Sequence, residues 1–129
     1  MENLFINATP SSPEIDFRFD QQTLSMKGES YPENAAAFYV PIIEQVRAFL
    51  ATCDRATITV NVSLAYFNSS STKMLFSLFD SLNQAASDGN HVRLNWYHHE
   101  DDDTILEFGE ELHADFAALD FYDRPLSST

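Results

Sequence analysis

Apolar and polar residues alternate over Ile15, Phe17 and Phe19 against Asp16, Arg18 and Asp20, the period of a half-buried strand. Asp20, Gln21 and Gln22 read as a turn into a second short strand over residues 23–27, giving a hairpin. Residues 28–34 read as a loop that becomes a helix start beside Pro32. Over 35–52 the apolar positions Phe38, Ile42, Val46 and Phe49, backed by Ile43 and Leu50, recur at helical spacing. Pro41 falls inside that pattern and is expected to kink or restart the helix. The β-branched run 56–63, with Ile58, Val60 and Val62 alternating against Thr57, Thr59 and Asn61, predicts a central strand. Met74, Leu75, Leu78, Phe79, Leu82 and Ala86 mark one face of a second helix that stops near Gly89. Val92, Leu94 and Trp96 form another alternating strand, and a short helix through Ile105, Leu106 and Leu112 follows the acidic stretch 100–103. A last strand over roughly 116–121 closes the pattern.

The resulting order, β-β-α-β-α-β-α-β, predicts an α/β fold. Parallel neighbours need helical crossovers, so the sheet is expected to be mixed, with the two long helices on one face. The ends are read as an irregular arm over 1–13, with Leu4, Phe5 and Ile6 tucked against the body, and a polar tail over 123–129. No internal repeat or linker divides the chain, and 129 residues suit one domain. With 44% hydrophobic residues, 11 of them Phe, the chain carries enough apolar material to fold.

Charge narrows the partners. Seven basic residues against 20 acidic ones give a formal net charge of -13, which repels phosphate backbones and anionic membranes and points to protein partners, not nucleic acid. The single cysteine, Cys53, forms no internal disulfide and is expected to be a half-buried thiol in a reducing cytoplasm. Met1 to Ser12 lacks a secretory pattern and no stretch is long enough to span a bilayer, so the expectation is a soluble cytoplasmic protein away from the membrane.

The candidate chemistry lies at Asn68-Ser69-Ser70-Ser71, where the central strand ends and an amphipathic helix begins. Helix starts leave backbone N–H groups without internal partners, and a serine cap satisfies one of them. The same place is hospitable to a phosphate, and Lys73, four residues beyond Ser69, carries an ammonium toward it. A phosphoserine there adds about 1.5 to 2 negative charges to an exposed surface. Spacing alone favours a plain cap.

Resemblance separates the two readings. The strand, serine-rich turn and helix resemble the STAS domains of anti-anti-sigma factors. The two motifs Ser25-Met26-Lys27-Gly28-Glu29-Ser30-Tyr31-Pro32-Glu33-Asn34 and Tyr66-Phe67-Asn68-Ser69-Ser70-Ser71 are similar to those of the SiaC-type regulatory phosphoproteins, a resemblance running from the first strand to the last helix. It implies a single STAS-like domain that is no enzyme and needs no cofactor. It also implies a kinase that phosphorylates the residue after the motif asparagine and a PP2C-type phosphatase that reverses this. The unmodified protein would then bind and activate a diguanylate cyclase, linking it to cyclic di-GMP and biofilm control. The acceptor in that family is a threonine; here it is Ser69, with Ser70 and Ser71 as alternatives and Lys73 and Asn68 to steady the phosphate. Tyr31, Glu33, Asn34 and Phe67 are the candidate partner contacts, whereas Gly28 and Pro32 read as turn chemistry.

Two other functions compete. One is an anti-anti-sigma-like STAS module that works without phosphorylation. The other, ranked last, is a small metal-dependent hydrolase built on His98-His99-Glu100-Asp101-Asp102-Asp103. Adjacent residues rarely face one ion, so that run is read as a solvated acidic turn that caps a helix, with no metal expected. His91 and His113 are isolated in sequence and read as surface or packing residues. No nucleophile elbow, P-loop or dinucleotide fingerprint is present.

Overall fold

A computed structural model describes residues 1–127. Among these, six strands and three helices follow one another as β1 (Leu4–Ile6), β2 (Glu14–Arg18), β3 (Thr23–Ser30), α1 (Ala35–Ala51), β4 (Thr57–Phe67), α2 (Ser69–Ser87), β5 (His91–His99), α3 (Asp103–Asp115) and β6 (Asp120–Leu126). The strands form one mixed sheet whose spatial order is the chain order. β1, β2 and β3 pair antiparallel, and β3 through β6 pair parallel. Each parallel step advances in the same direction, and right-handed crossovers therefore put all three helices on one face.

That face is the core. Leu24 and Met26, Ile58, Val60, Val62 and Leu64, and Val92, Leu94 and Trp96 point into it from successive strands and are all nearly inaccessible to solvent. α1 meets them with Tyr39, Ile42, Ile43, Val46 and Phe49, and α2 with Leu75, Leu78, Phe79 and Leu82. Trp96 is held by Phe79 of α2 and Phe108 of α3, and its indole N–H donates to the Ile105 carbonyl at 2.9 Å. α3 lies close here because of Gly109: a Cβ there would stand 2.5 Å from the Trp96 ring. No helix of the described residues is long and apolar enough to cross a membrane.

The structure departs from the pattern at five places. The arm is not wholly irregular, since Leu4–Ile6 is an edge strand on β2 with Leu4 and Ile6 half-buried, although Phe5 is exposed. A three-residue strand is too short to show a period. β3 continues past Lys27 to Ser30, although Gly28 and the polar residues after it resemble a loop. Gly28 sits at φ +126°, a conformation open chiefly to glycine, where the β3–β4 register shifts. Pro41 does not interrupt α1. Losing one helical hydrogen bond costs about 3 kcal/mol, whereas each buried side chain of the α1 face contributes roughly 1.5–3 kcal/mol, and Pro41 lies on the exposed side. That inner face is built on Tyr39, with Phe38 only half-buried.

The fifth departure is the last strand. Phe116 and Leu119 plug the core from the connection after α3, and pairing starts only at Asp120 and runs to Leu126, inside the stretch read as a polar tail. As an edge strand with Arg124 and Pro125, β6 lacks the apolar signature of a central one. The rest of that tail, residues 128 and 129, lies outside the described residues.

Candidate functional site at the start of the second long helix

Asn68, not a serine, caps α2. Its backbone is extended (φ −90°, ψ 177°) and its side-chain oxygen accepts from the Ser71 N–H at 2.9 Å. The Asn68 carbonyl accepts from both the N–H and the hydroxyl of Thr72, at 2.9 and 3.0 Å, and the Asn68 N–H donates to the Ser30 carbonyl at 3.0 Å. With the cap supplied by Asn68, the hydroxyls of Ser69 and Ser70 are left unused for capping, and both residues are exposed.

Ser71 has the opposite fate. It is fully buried, and its hydroxyl oxygen accepts from that of Ser30 at 2.8 Å. The Ser30 hydroxyl is also bonded to the phenol of Tyr39 at 2.5 Å. All three side chains have no solvent exposure, so the ends of β3 and α2 and the first turns of α1 are tied by one closed set of hydroxyls. Burial pushes the Tyr39 phenol up to about 12, an effect the bonds to Ser30 and Ser71 partly oppose. Ser71, one of the two expected alternatives to Ser69, is therefore inaccessible in the folded chain.

The surroundings of Ser69 combine charge and aromatic surface. α1 starts nearby with its own asparagine cap, Asn34, whose side chain accepts from the Ala37 N–H at 3.0 Å. Glu33, Asn34, Ala36, Ser70, Lys73 and Met74 line a shallow groove between the two helix starts. Lys73 is exposed and makes no ion pair among the described residues. Beside the turn, Tyr31 and Tyr66 meet edge to face at 5.8 Å while remaining 40% and 50% exposed.

Of the two adjacent aromatics it is Tyr66, not Phe67, that is presented outward. The reason is a bulge: Gly28 pairs with Leu64 and Glu29 with Tyr66, so Ala65 is an extra residue on β4. One inserted residue reverses the in-out alternation after it. Tyr66 turns outward, and Phe67 turns in to pack against Trp96 and Phe108, with the Phe108 ring at 4.6 Å. Phe67 is thus a packing residue behind the turn. The signal was the pair of aromatics Tyr66-Phe67 after strict alternation, only one of which the core can take.

The other chemistry-bearing residues are placed elsewhere. His98 is buried, with its ring nitrogens 2.8 Å from the His99 carbonyl and 2.6 Å from the Asp123 carboxylate. Asp102 caps α3 by accepting from the Ile105 N–H at 3.1 Å. His91 lies 2.7 Å from Asp120, and its hydrogen bond draws that carboxyl below the ordinary range. His113 stacks on Phe121. Half-buried Cys53 donates to the Phe49 carbonyl, and burial raises its thiol. No group of three His, Cys, Asp or Glu side chains among the described residues is arranged to hold a metal ion.

The turn thus presents an exposed serine pair at a helix start capped by Asn68, close in sequence to the half-exposed Tyr66. The family comparison sharpens this: the SiaC family regulatory phosphoprotein model matches residues 6–126, and the chain belongs to that family. An uncharacterized protein of Pseudomonas aeruginosa strain UCBPP-PA14 is 34% identical over 115 residues, covering 89% of this chain and 90% of that one. The crystal structure of apo-SiaC from P. aeruginosa superposes with a TM-score of 0.87 at 32% identity, covering 96% of this chain and 99% of that one. SiaC in the crystal structure of the diguanylate cyclase SiaD with its activator SiaC, also from P. aeruginosa, matches at 0.84 and 31%, covering 96% and 98%.

Proposed function

We propose that this chain is a cytoplasmic adaptor of one domain, switched by phosphorylation of Ser69, which in its unmodified form binds and activates a diguanylate cyclase. The observation that carries the reading is the division of labour at the turn. Asn68 caps the helix and Ser71 anchors it, leaving the Ser69 hydroxyl exposed beside Tyr31 and Tyr66. The likeness to SiaC, the activator in the complex with SiaD, supplies the class of partner.

A kinase transfers the γ-phosphoryl group of ATP to Ser69: the bond from its oxygen to phosphorus forms, the bond to ADP breaks, and the hydroxyl proton passes to a base of the kinase. A PP2C-type phosphatase returns the serine by hydrolysis, releasing inorganic phosphate. The helix start and Lys73 tolerate the added charge in the free protein. In a complex that covers Tyr31 and Tyr66 the phosphate must be desolvated, and a chain at -13 offers little compensation, so modification releases the partner.

Phosphosite mapping by mass spectrometry with the cognate kinase, alongside cyclase titration, tests the reading. Ser69→Ala is expected to bind the cyclase like the wild type and to resist kinase-dependent release, whereas Ser69→Asp binds more weakly. Undiminished phosphorylation of Ser69→Ala moves the acceptor to Ser70 or elsewhere. No modification of the wild type by any cognate kinase makes the chain an unphosphorylated STAS-like module instead.

A further inference from the structure

The face of the sheet opposite the helices is uncovered, and its charge differs from that of the whole chain. Strand register places Arg18, Lys27, Arg93 and Arg124 on it, four of the seven cations, with only Glu14, Asp16, Glu29 and Asp120 of the 20 carboxylates. The face is therefore neutral overall, and the entire net charge of -13 resides elsewhere. Two of its carboxylates are already engaged: Asp16 with Arg18 at 3.2 Å, and Asp120 with His91 at 2.7 Å and the Tyr122 hydroxyl at 3.1 Å. Lys27, Arg93 and Arg124 make no ion pair among the described residues.

The arginines are organised. Both guanidiniums lie over the single ring of Tyr122, at 5.2 Å for Arg93 and 5.1 Å for Arg124. Arg124 donates to Asn95 at 3.0 Å, Asn95 to Asn61 at 2.9 Å and Asn61 to Ser25 at 3.2 Å, a ladder of amides that fixes the surface from β6 to β3. The Nε of Arg93 is buried without a hydrogen-bond partner. That atom is out of a partner's reach, so a carboxylate meets the outer nitrogens of each guanidinium, whose planar fork matches it.

We propose that this face docks an acidic segment of a partner protein, whose carboxylates engage Arg93 and Arg124 around Tyr122. Nucleic acid fits less well, because a long polyanion extends past the neutral face onto surfaces that repel it. The site lies on β5 and β6; Tyr66 shares this face through its pairing with Glu29 but sits at the end of β4, so the Ser69 turn contributes no residue to the site.

The test uses a short fluorescein-labelled peptide of Glu and Asp around one Tyr, with labelled oligothymidylate as the comparison, at low ionic strength. The expected result is saturable peptide binding by anisotropy, with shifts of the Arg93 and Arg124 Nε–H resonances in NMR spectra. Arg93→Gln with Arg124→Gln is expected to weaken binding roughly tenfold or more, and Arg55→Gln, an exposed cation off this face, to leave it unchanged. Arg124→Gln alone, on an exposed edge strand, serves if the double variant does not fold. Absence of saturable binding, an unchanged affinity in the arginine variant, shifts centred on Tyr31 and Tyr66, or tighter binding of oligothymidylate overturns the proposal.

Discussion

The two long helices begin in the same way and do different things. Each has an asparagine cap whose side chain accepts from the N–H three residues on, at 3.0 Å for Asn34 and 2.9 Å for Asn68. After Asn34 come three alanines; after Asn68 come three serines and a threonine. Asn34 is exposed, whereas the Asn68 backbone is pinned to the Ser30 carbonyl and Ser71 below it is locked to Ser30. A cap is therefore no sign of a switch. What distinguishes the second helix is a hydroxyl held outside a rigid, independently capped turn.

The contrast breaks most sharply at Ser71, two residues past Ser69. Ser71→Asp places a carboxylate among buried hydroxyls and is expected to destabilise the fold by about 3–5 kcal/mol, seen as a large fall in the urea midpoint. A midpoint equal to that of the wild type would show that Ser71 is not the anchor.

Alkaline pH probes the same hydroxyl set. The Tyr39 phenol is raised from 10.0 to about 12 in the fold, so the unfolded chain releases this proton first as pH rises. Its stabilising contribution is complete below pH 10 and is lost as pH climbs toward 12, a change on the order of 2–3 kcal/mol. Tyr39→Phe removes this titration, so the stability gap between variant and wild type should close between pH 10 and 12. Parallel urea curves for the two proteins across that window contradict the assignment.

Smaller effects separate the caps themselves. Asn68→Ala is expected to cost about 1–2 kcal/mol and Asn34→Ala about 0.5–1 kcal/mol, because only the first also loosens the packed turn. Equal losses in thermal melts would make the two starts equivalent. The smallest change is Ser69→Asp, whose carboxylate at a helix start is expected to leave stability unchanged or raise it by about 0.3–1 kcal/mol, read as an equal or slightly higher melting temperature. A marked loss would mean that Ser69 is packed and not presented.

Much of this was legible in the chain because period and burial agree there. Ile58, Val60 and Val62, and likewise Leu75, Leu78, Phe79 and Leu82, announce both their element and their inward face. Legibility failed where the cause was nonlocal. The inward turn of Phe67 depends on an extra residue at Ala65 that is defined only against β3. Burial of Ser71 depends on Ser30 and Tyr39, which lie 41 and 32 positions away, and the bounds of β6, expected over roughly 116–121, are set only by its pairing with β5. The position of the serine-rich helix start could be read, but the division of its three serines into exposed and buried could not.

Because the spatial order of the strands is their order along the chain, every new strand is laid against the one made just before it. Nothing synthesised late has to be inserted between elements already in place. A nascent chain can thus assemble from one edge of the sheet to the other as it leaves the ribosome, with modest loop closures at each step. The serine turn and its anchor are complete once α2 has docked, before α3 and β6 exist, so the last-made edge is added to a molecule whose hydroxyl-tied corner is already built.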